Sequence, residues 1–209
     1  MLFYDSPDPA PNPRRVRLFA AEKGVALPTQ EVSITQGQHK APEYLAINPL
    51  GQTPALALDD GTVLTESVAI CRYLEALHPE PPMFGAEAAE TARIEMWMRR
   101  VELRLMVPVS MVWVHTHPFT ARLQPRFEAW GEANRPRAQA ALKLFDEALG
   151  RTPFLTGETF TMADILLLTT IDFATFIGLP PAPENEHLMT WHKRVSARPS
   201  VTGRTEAAA

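Results

Sequence analysis

Two short stretches carry residues whose types and spacing could do chemistry. In the first, Asn48-Pro49-Leu50-Gly51-Gln52-Thr53-Pro54-Ala55-Leu56, a proline leads into an apolar run. Proline at the head of a strand removes a ladder donor, and an X-Pro bond in so tight an approach is expected to be cis, exposing the backbone of the residue before it. Thr53 then offers both its N–H and its C=O to an extended ligand, as a sheet edge does to an added strand. The second stretch is Leu64-Thr65-Glu66-Ser67-Val68-Ala69-Ile70. Ser67 opens an amphipathic helix with Ile70, Leu74 and Leu77 on one face, so unpaired N–H groups and the positive dipole end await a carboxylate. Glu66 beside it suits an ammonium. The carboxylate and ammonium of an amino acid can dock at residues 66 and 67 while its peptide tail pairs with Thr53, which is the chemistry of a small-peptide site.

Composition narrows the class of protein that holds such a site. With 209 residues, 45% of them hydrophobic, the chain can bury a sizeable core in one large domain or two small ones. A formal charge of -4 gives no field for nucleic acid or an anionic membrane, although Arg14, Arg15 and Arg17 form a local basic cluster. No apolar run approaches the 18 or so residues of a membrane span, and no signal peptide is recognisable, so a cytoplasmic protein is expected. The single cysteine, Cys71, excludes an intrachain disulfide and a thiolate metal cluster. One residue after Ile70, beside the apolar stripe, it reads as a small buried hydrophobe.

The elements that must position these residues follow from the same grammar. Residues 2 to 5 read as a strand, and the proline-rich Ser6 to Pro13 as a stiff loop that cannot supply helical N–H bonds. Arg14 to Lys23 reads as a helix closed by Gly24, with Pro13 in its first turn. Gln30 to Ile34 is a strand, Pro42 to Ala46 a short helix, and Ala55 to Leu58 and Thr62 to Leu64 a hairpin around Asp59-Asp60-Gly61. The order is β-α-β-α-β-β-α over residues 1–78. His78 to Ala86 is a Pro/Gly-rich linker, assigned to residues 79–86 between domains. Residues 87–209 are then all helical. Residues 87–117 carry helical spacing with a kink expected at Pro108, Leu123 to Leu149 forms a second long helix distorted near Pro136, and Thr161 to Asp164 is a capping box with Phe160 placed as a staple against Ile165. Ile165 to Ile177, apolar nearly all round, is a central helix. Glu186 to Ala197 is the last helix, and Thr205 to Ala209 is frayed.

Taken together, the Met1-to-Asp5 strand, the Pro13-to-Arg17 helix start, the segment PEYLAINPLGQTPALAL and the late TFTMADILL resemble, in this order, the cytosolic glutathione transferases, with a bacterial-type pattern. The likeness covers essentially the whole chain. It implies an α/β plus all-α fold, a thioredoxin-like glutathione-binding domain followed by an all-helical domain with an electrophile pocket, a homodimer, glutathione as co-substrate and no metal. The implied glutathione residues are His39, Lys40, Gln52, Thr53, Pro54, Glu66 and Ser67, with His39 or Lys40 near the glycine carboxylate. The family's usual Tyr, Ser or Cys donor is missing, since Pro11 stands where a serine is expected. Ser6 reads equally as a turn residue and as a catalytic hydroxyl, and Tyr4 packs within its strand. Asn12, through its amide, is the other candidate near the helix start. On the helical domain Met106, Ser110, Trp113 and His117 share one face, with His115 off it. That face is either core packing or an electrophile pocket from which Ser110 or a histidine holds a water against the sulfur. The activity implied is addition of the glutathione thiol to an electrophile in detoxification. Glutathione-dependent disulfide reduction, ether cleavage and a non-catalytic glutathione-binding role use the same binding residues.

Overall fold

The computed structural model describes residues 1–122 and 125–203. The expected helix start at Leu123 and the Thr205–Ala209 tail lie outside them. The chain divides into two compact units, residues 1–83 and 84–209.

The first unit holds β1 (Leu2–Asp5), α1 (Pro11–Glu22), β2 (Thr29–Glu31), a 3₁₀ turn (Gln38–Lys40), α2 (Pro42–Leu45), β3 (Ala55–Ala57), β4 (Val63–Thr65) and α3 (Ser67–Leu77). The sheet order is β2-β1-β3-β4, with β1 parallel to β2 and antiparallel to β3, and β3 antiparallel to β4. This is the thioredoxin-like arrangement. Alternation along the strands sets the two faces. Tyr4, Val32, Tyr44 and Ala55 make one buried cluster, on the side of α2. Phe3 and Leu56 turn the other way, where α1 and α3 pack together and bury Val16, Phe19, Ile70 and Leu74. Leu77 departs from the expected stripe and is 48% exposed, because α3 ends there. Helix α1 starts at Pro11, earlier than expected from Arg14, since a proline's fixed φ suits a first turn and its missing N–H costs nothing there.

The second unit holds α4 (Ala88–Arg100), a π-helical turn (Val101–Met106), α5 (Val107–Thr116), a 3₁₀ segment (Pro118–Arg122), α6 (Glu128–Leu149), α7 (Met162–Phe176), α8 (Glu186–Ser196) and α9 (Pro199–Thr202). The irregularity expected at Pro108 lies just before it. Pro108 cannot bond the carbonyl four residues back and its ring crowds it, so the preceding turn widens into π geometry. Helix α6 runs unbroken through Pro136, whose missing bond falls on the exposed Glu132 carbonyl side. Gly131 lets α6 approach α5, because a Cβ there would lie 2.5 Å from Thr116 Cγ2. Twelve of the fifteen residues of α7 are buried, as its unbroken apolar run requires.

The α7 start is secured by Asp164. Its carboxylate accepts from the Thr161 N–H and hydroxyl (3.1 Å each), the Leu155 N–H (3.1 Å) and Trp191 Nε1 (3.3 Å). Complete burial nevertheless pushes its pKa up to about 6, against the pull of these donors. Phe160 packs edge-on to Phe154, at 5.7 Å between ring centres. The α9 turn was not expected from sequence.

Candidate functional site

The Thr53 arm is held by side chains on both flanks. Tyr44 Oη donates to the Gln52 carbonyl at 2.6 Å and Asn48 Nδ2 donates to the same oxygen at 2.7 Å. Asn48 Oδ1 accepts the Leu50 N–H at 3.1 Å, which closes the turn. Burial pushes the Tyr44 phenol up to about 12, so it remains a donor at any working pH. Gly51 sits at φ +58 where a Cβ would lie 2.7 Å from the His39 carbonyl, so no side chain fits. The Thr53-Pro54 bond is cis, as expected. Among the described residues no backbone hydrogen bond engages the Thr53 N–H or C=O. A half-buried residue with both groups open is placed for an extended ligand.

The second arm begins at Glu66, which has φ 66 and ψ 115. Only glycine adopts positive φ without strain, and such a residue costs about 1–3 kcal/mol. Glu66 is exposed, and the N–H groups of the first turn of α3 have no helical partners. Ser67 is buried, 6% exposed, with its Oγ facing Arg15 Nη1 at 3.5 Å.

The proposed sulfur donors fare differently. Ser6 is buried and gives its single hydroxyl proton to the Val32 carbonyl at 2.8 Å. Its oxygen then accepts from Thr53 Oγ1 at 2.8 Å, so Ser6 braces Thr53 rather than presenting a donor. At the start of α1, Pro11 and Pro13 have no N–H, and the Ala10 N–H bonds the Pro7 carbonyl. Asn12 is therefore the one residue there with a backbone donor unclaimed by the helix. Its side-chain amide is half-buried and makes no hydrogen bond among the described residues. Both donors and the helix's positive end converge on Asn12.

The basic cluster of the sequence separates. Arg17 bonds Asp5 at 2.6 Å and Asp8 at 2.5 Å, and Arg14 lies 3.9 Å from Asp8. Arg15 is 4% exposed and turns inward. His39 is buried with Nδ1 unpartnered among the described residues. Burial, then neighbouring Lys40, hold its pKa below the ordinary value, so it is neutral at pH 7. Lys40 is the exposed cation of the two and donates to the Leu50 carbonyl at 3.1 Å. Cys71 is fully buried and its thiol is pushed up by desolvation, which makes it inert. Among the described residues no group of three or more His, Cys, Asp or Glu could hold a metal ion.

In the helical unit, Trp113 and His117 stack with ring centres 4.1 Å apart. Phe119, Phe173 and Phe176 gather on Trp113 at 5.9, 5.4 and 6.1 Å. Met106 Sδ accepts from Thr170 Oγ1 at 3.8 Å. Ser110 is half-buried and its hydroxyl makes no hydrogen bond among the described residues. His115 leaves this group, its ring 5.8 Å from that of Phe127. Phe173 and Phe176 were missed in the sequence because α7 reads as apolar all round, which hides that Phe176 is 52% exposed, and Phe119 because it lies just past the helix expected over residues 87–117. Arg15 was missed as one of the three clustered arginines Arg14, Arg15 and Arg17. The spacing of α1 held the signal, since Arg15 falls among the buried Val16, Leu18 and Phe19.

Comparison with known proteins supplies an independent line. Residues 10–77 match the glutathione S-transferase N-terminal domain family, and residues 112–199 match the glutathione S-transferase C-terminal domain family. Glutathione S-transferase 2 of Saccharomyces cerevisiae is 39% identical over 96% of this chain and 88% of its own. Human glutathione S-transferase theta-2 is 31% identical over 88% of this chain and 76% of its own. The crystal structure of Gtt2 from Saccharomyces cerevisiae superposes with a TM-score of 0.91 at 36% identity, covering 98% of this chain and all of that one.

Proposed function

The chain belongs to the glutathione S-transferase family and is a glutathione transferase, and from that premise we propose how its own residues carry the reaction. The Thr53 N–H and C=O pair with the cysteinyl backbone of glutathione, on the arm fixed by Gln52 and Pro54. Ser67 and the first turn of α3 take the γ-glutamyl carboxylate, Glu66 takes the ammonium, and Lys40 beside neutral His39 takes the glycyl carboxylate.

A free thiol titrates near 8.5, and lowering it by two units needs about 2.7 kcal/mol of preference for the thiolate. One charge-assisted hydrogen bond from the Asn12 amide, with its N–H and the α1 dipole, is of that size. Ser6, with its proton committed, takes the role of brace. Ser110 is the remaining hydroxyl candidate, for a role through water. The electrophile sits on the ring face of Trp113, His117, Phe119, Phe173 and Phe176, with Met106 at its edge and His115 outside it. Positioning and thiolate formation accomplish the chemistry, without a covalent enzyme intermediate.

A homodimer is supported by Met96, Leu103 and Val107, which are 40%, 62% and 46% exposed and recur along α4, the π turn and α5. A reducing cytoplasm suits the lone unpaired Cys71. The single observation that carries this reading is the open backbone pair of Thr53, clamped through Gln52 by Tyr44 and Asn48. It is tested by retention on glutathione resin, followed by turnover with aryl halides, enones, epoxides, peroxides and mixed disulfides. Conjugation of one of the first three supports addition to an electrophile. Retention with turnover of mixed disulfides alone would reassign it as a glutathione-dependent reductase, and retention with no turnover as a binding module.

A further inference from the structure

Arg15 is a buried charge to which the glutathione reading has given no role. It lies in the second turn of α1, 4% exposed, with Nη1 3.5 Å from Ser67 Oγ. The guanidinium sits beneath the first turn of α3. Its charge also bears on Cys71, one turn into that helix, where it opposes the upward push of burial on the thiol. An arginine has five donors and no acceptor. A serine hydroxyl whose oxygen faces such a group cannot return its proton there, and the Ser67 hydroxyl has no other hydrogen-bond partner among the described residues. Its proton is left to point away from Arg15, toward whatever docks at the start of α3.

We propose that Arg15 is a positioning residue for the γ-glutamyl carboxylate: it orients the Ser67 hydroxyl toward the ligand and places a buried positive charge behind the anion subsite. This rests on the reading that Ser67 holds that carboxylate. A 3.5 Å separation is long for a hydrogen bond, so the charge and the orientation matter more than the bond itself. The guanidinium also suits the place chemically, because it stays protonated when buried, where a lysine would lose its charge more readily.

The test is a two-by-two cycle of Arg15→Met and Ser67→Ala, read as glutathione affinity by calorimetric titration and as KM and kcat with one electrophile. Arg15→Met should weaken glutathione by about tenfold, with the loss in KM and kcat spared, and Arg15→Lys should recover part of it. With Ser67 already alanine, the Arg15→Met loss should shrink to about threefold or less, the remainder being the direct effect of the charge on the carboxylate. An undiminished loss in the Ser67→Ala background would overturn the proposal, as would a loss confined to melting temperature. If Arg15→Met does not fold, the cycle is run with Arg15→Lys, whose smaller loss must shrink in the same way. If Ser67→Ala itself leaves affinity unchanged, the underlying assignment of Ser67 fails, and that result is read before any Arg15 variant.

Discussion

At the scale of single residues, the proposed site separates groups assigned to glutathione from groups that hold those groups still. Ser67 is assigned to the first kind. Replacing it by alanine removes a donor to a carboxylate, which costs about 1.5–3 kcal/mol, tenfold or more in affinity. Titration calorimetry should show that loss with little change in melting temperature, because the Arg15 contact is long. Unchanged affinity would remove Ser67 from the site. Ser6 is of the second kind, as its proton lies on the Val32 carbonyl. That distinction was not legible in the sequence, where a serine after a strand reads equally as turn or catalyst. Hydroxyl direction is decided by residues 26 and 47 positions away.

At the scale of elements, two helix starts carry opposite bargains. Glu66 caps α3 in a positive-φ conformation that glycine would adopt without strain. Glu66→Gly should therefore raise stability by about 1 kcal/mol while weakening glutathione, since it relieves strain and deletes the carboxylate. A denaturant melt paired with a binding titration checks both signs, and a destabilised variant would contradict the strain. The α7 start instead buries a carboxylate. Asp164 titrates at about 6 in the fold against 3.8 unfolded. Raised in the fold, it favours the folded state most below the unfolded value, and that contribution is lost as pH rises from about 4 to about 6. Asp164→Asn should be less stable by about 1–3 kcal/mol, because its amide would face the Thr161 N–H donor. The stability gap between wild type and this variant should narrow as pH climbs through that window. A gap that widens would mean that the hydrogen bonds, not burial, set the Asp164 pKa. The Thr161 box was readable because its residues are three apart. The π turn was not, because nothing in Val101 to Met106 marks which side of Pro108 absorbs the lost bond.

At the scale of the molecule, the order of elements and the backbone geometry of the Thr53 and Ser67 arms were legible because local rules set them: a Pro at a strand head, an Asp-Gly hairpin, a helix opening on serine. What escaped needed distant elements to meet, as with Arg15 under Ser67, or the rings of α5 and α7 collecting on Trp113. The uncovered apolar strip makes a further whole-molecule expectation. Sedimentation should give a dimer, and Leu103→Glu should shift it to monomer by placing a charge in the interface. A wild-type monomer would contradict this. The most direct measurement concerns the sulfur: thiolate absorbance of enzyme-bound glutathione, titrated against pH in wild type, Asn12→Ala and Ser6→Ala. The bound thiol should titrate well below about 8.5, and Asn12→Ala should raise it by about one unit, worth about 1.4 kcal/mol. Ser6→Ala should leave it in place while lowering the melting temperature. A wild-type thiol that titrates at the free value, or one that Asn12→Ala does not move, would contradict activation by the start of α1.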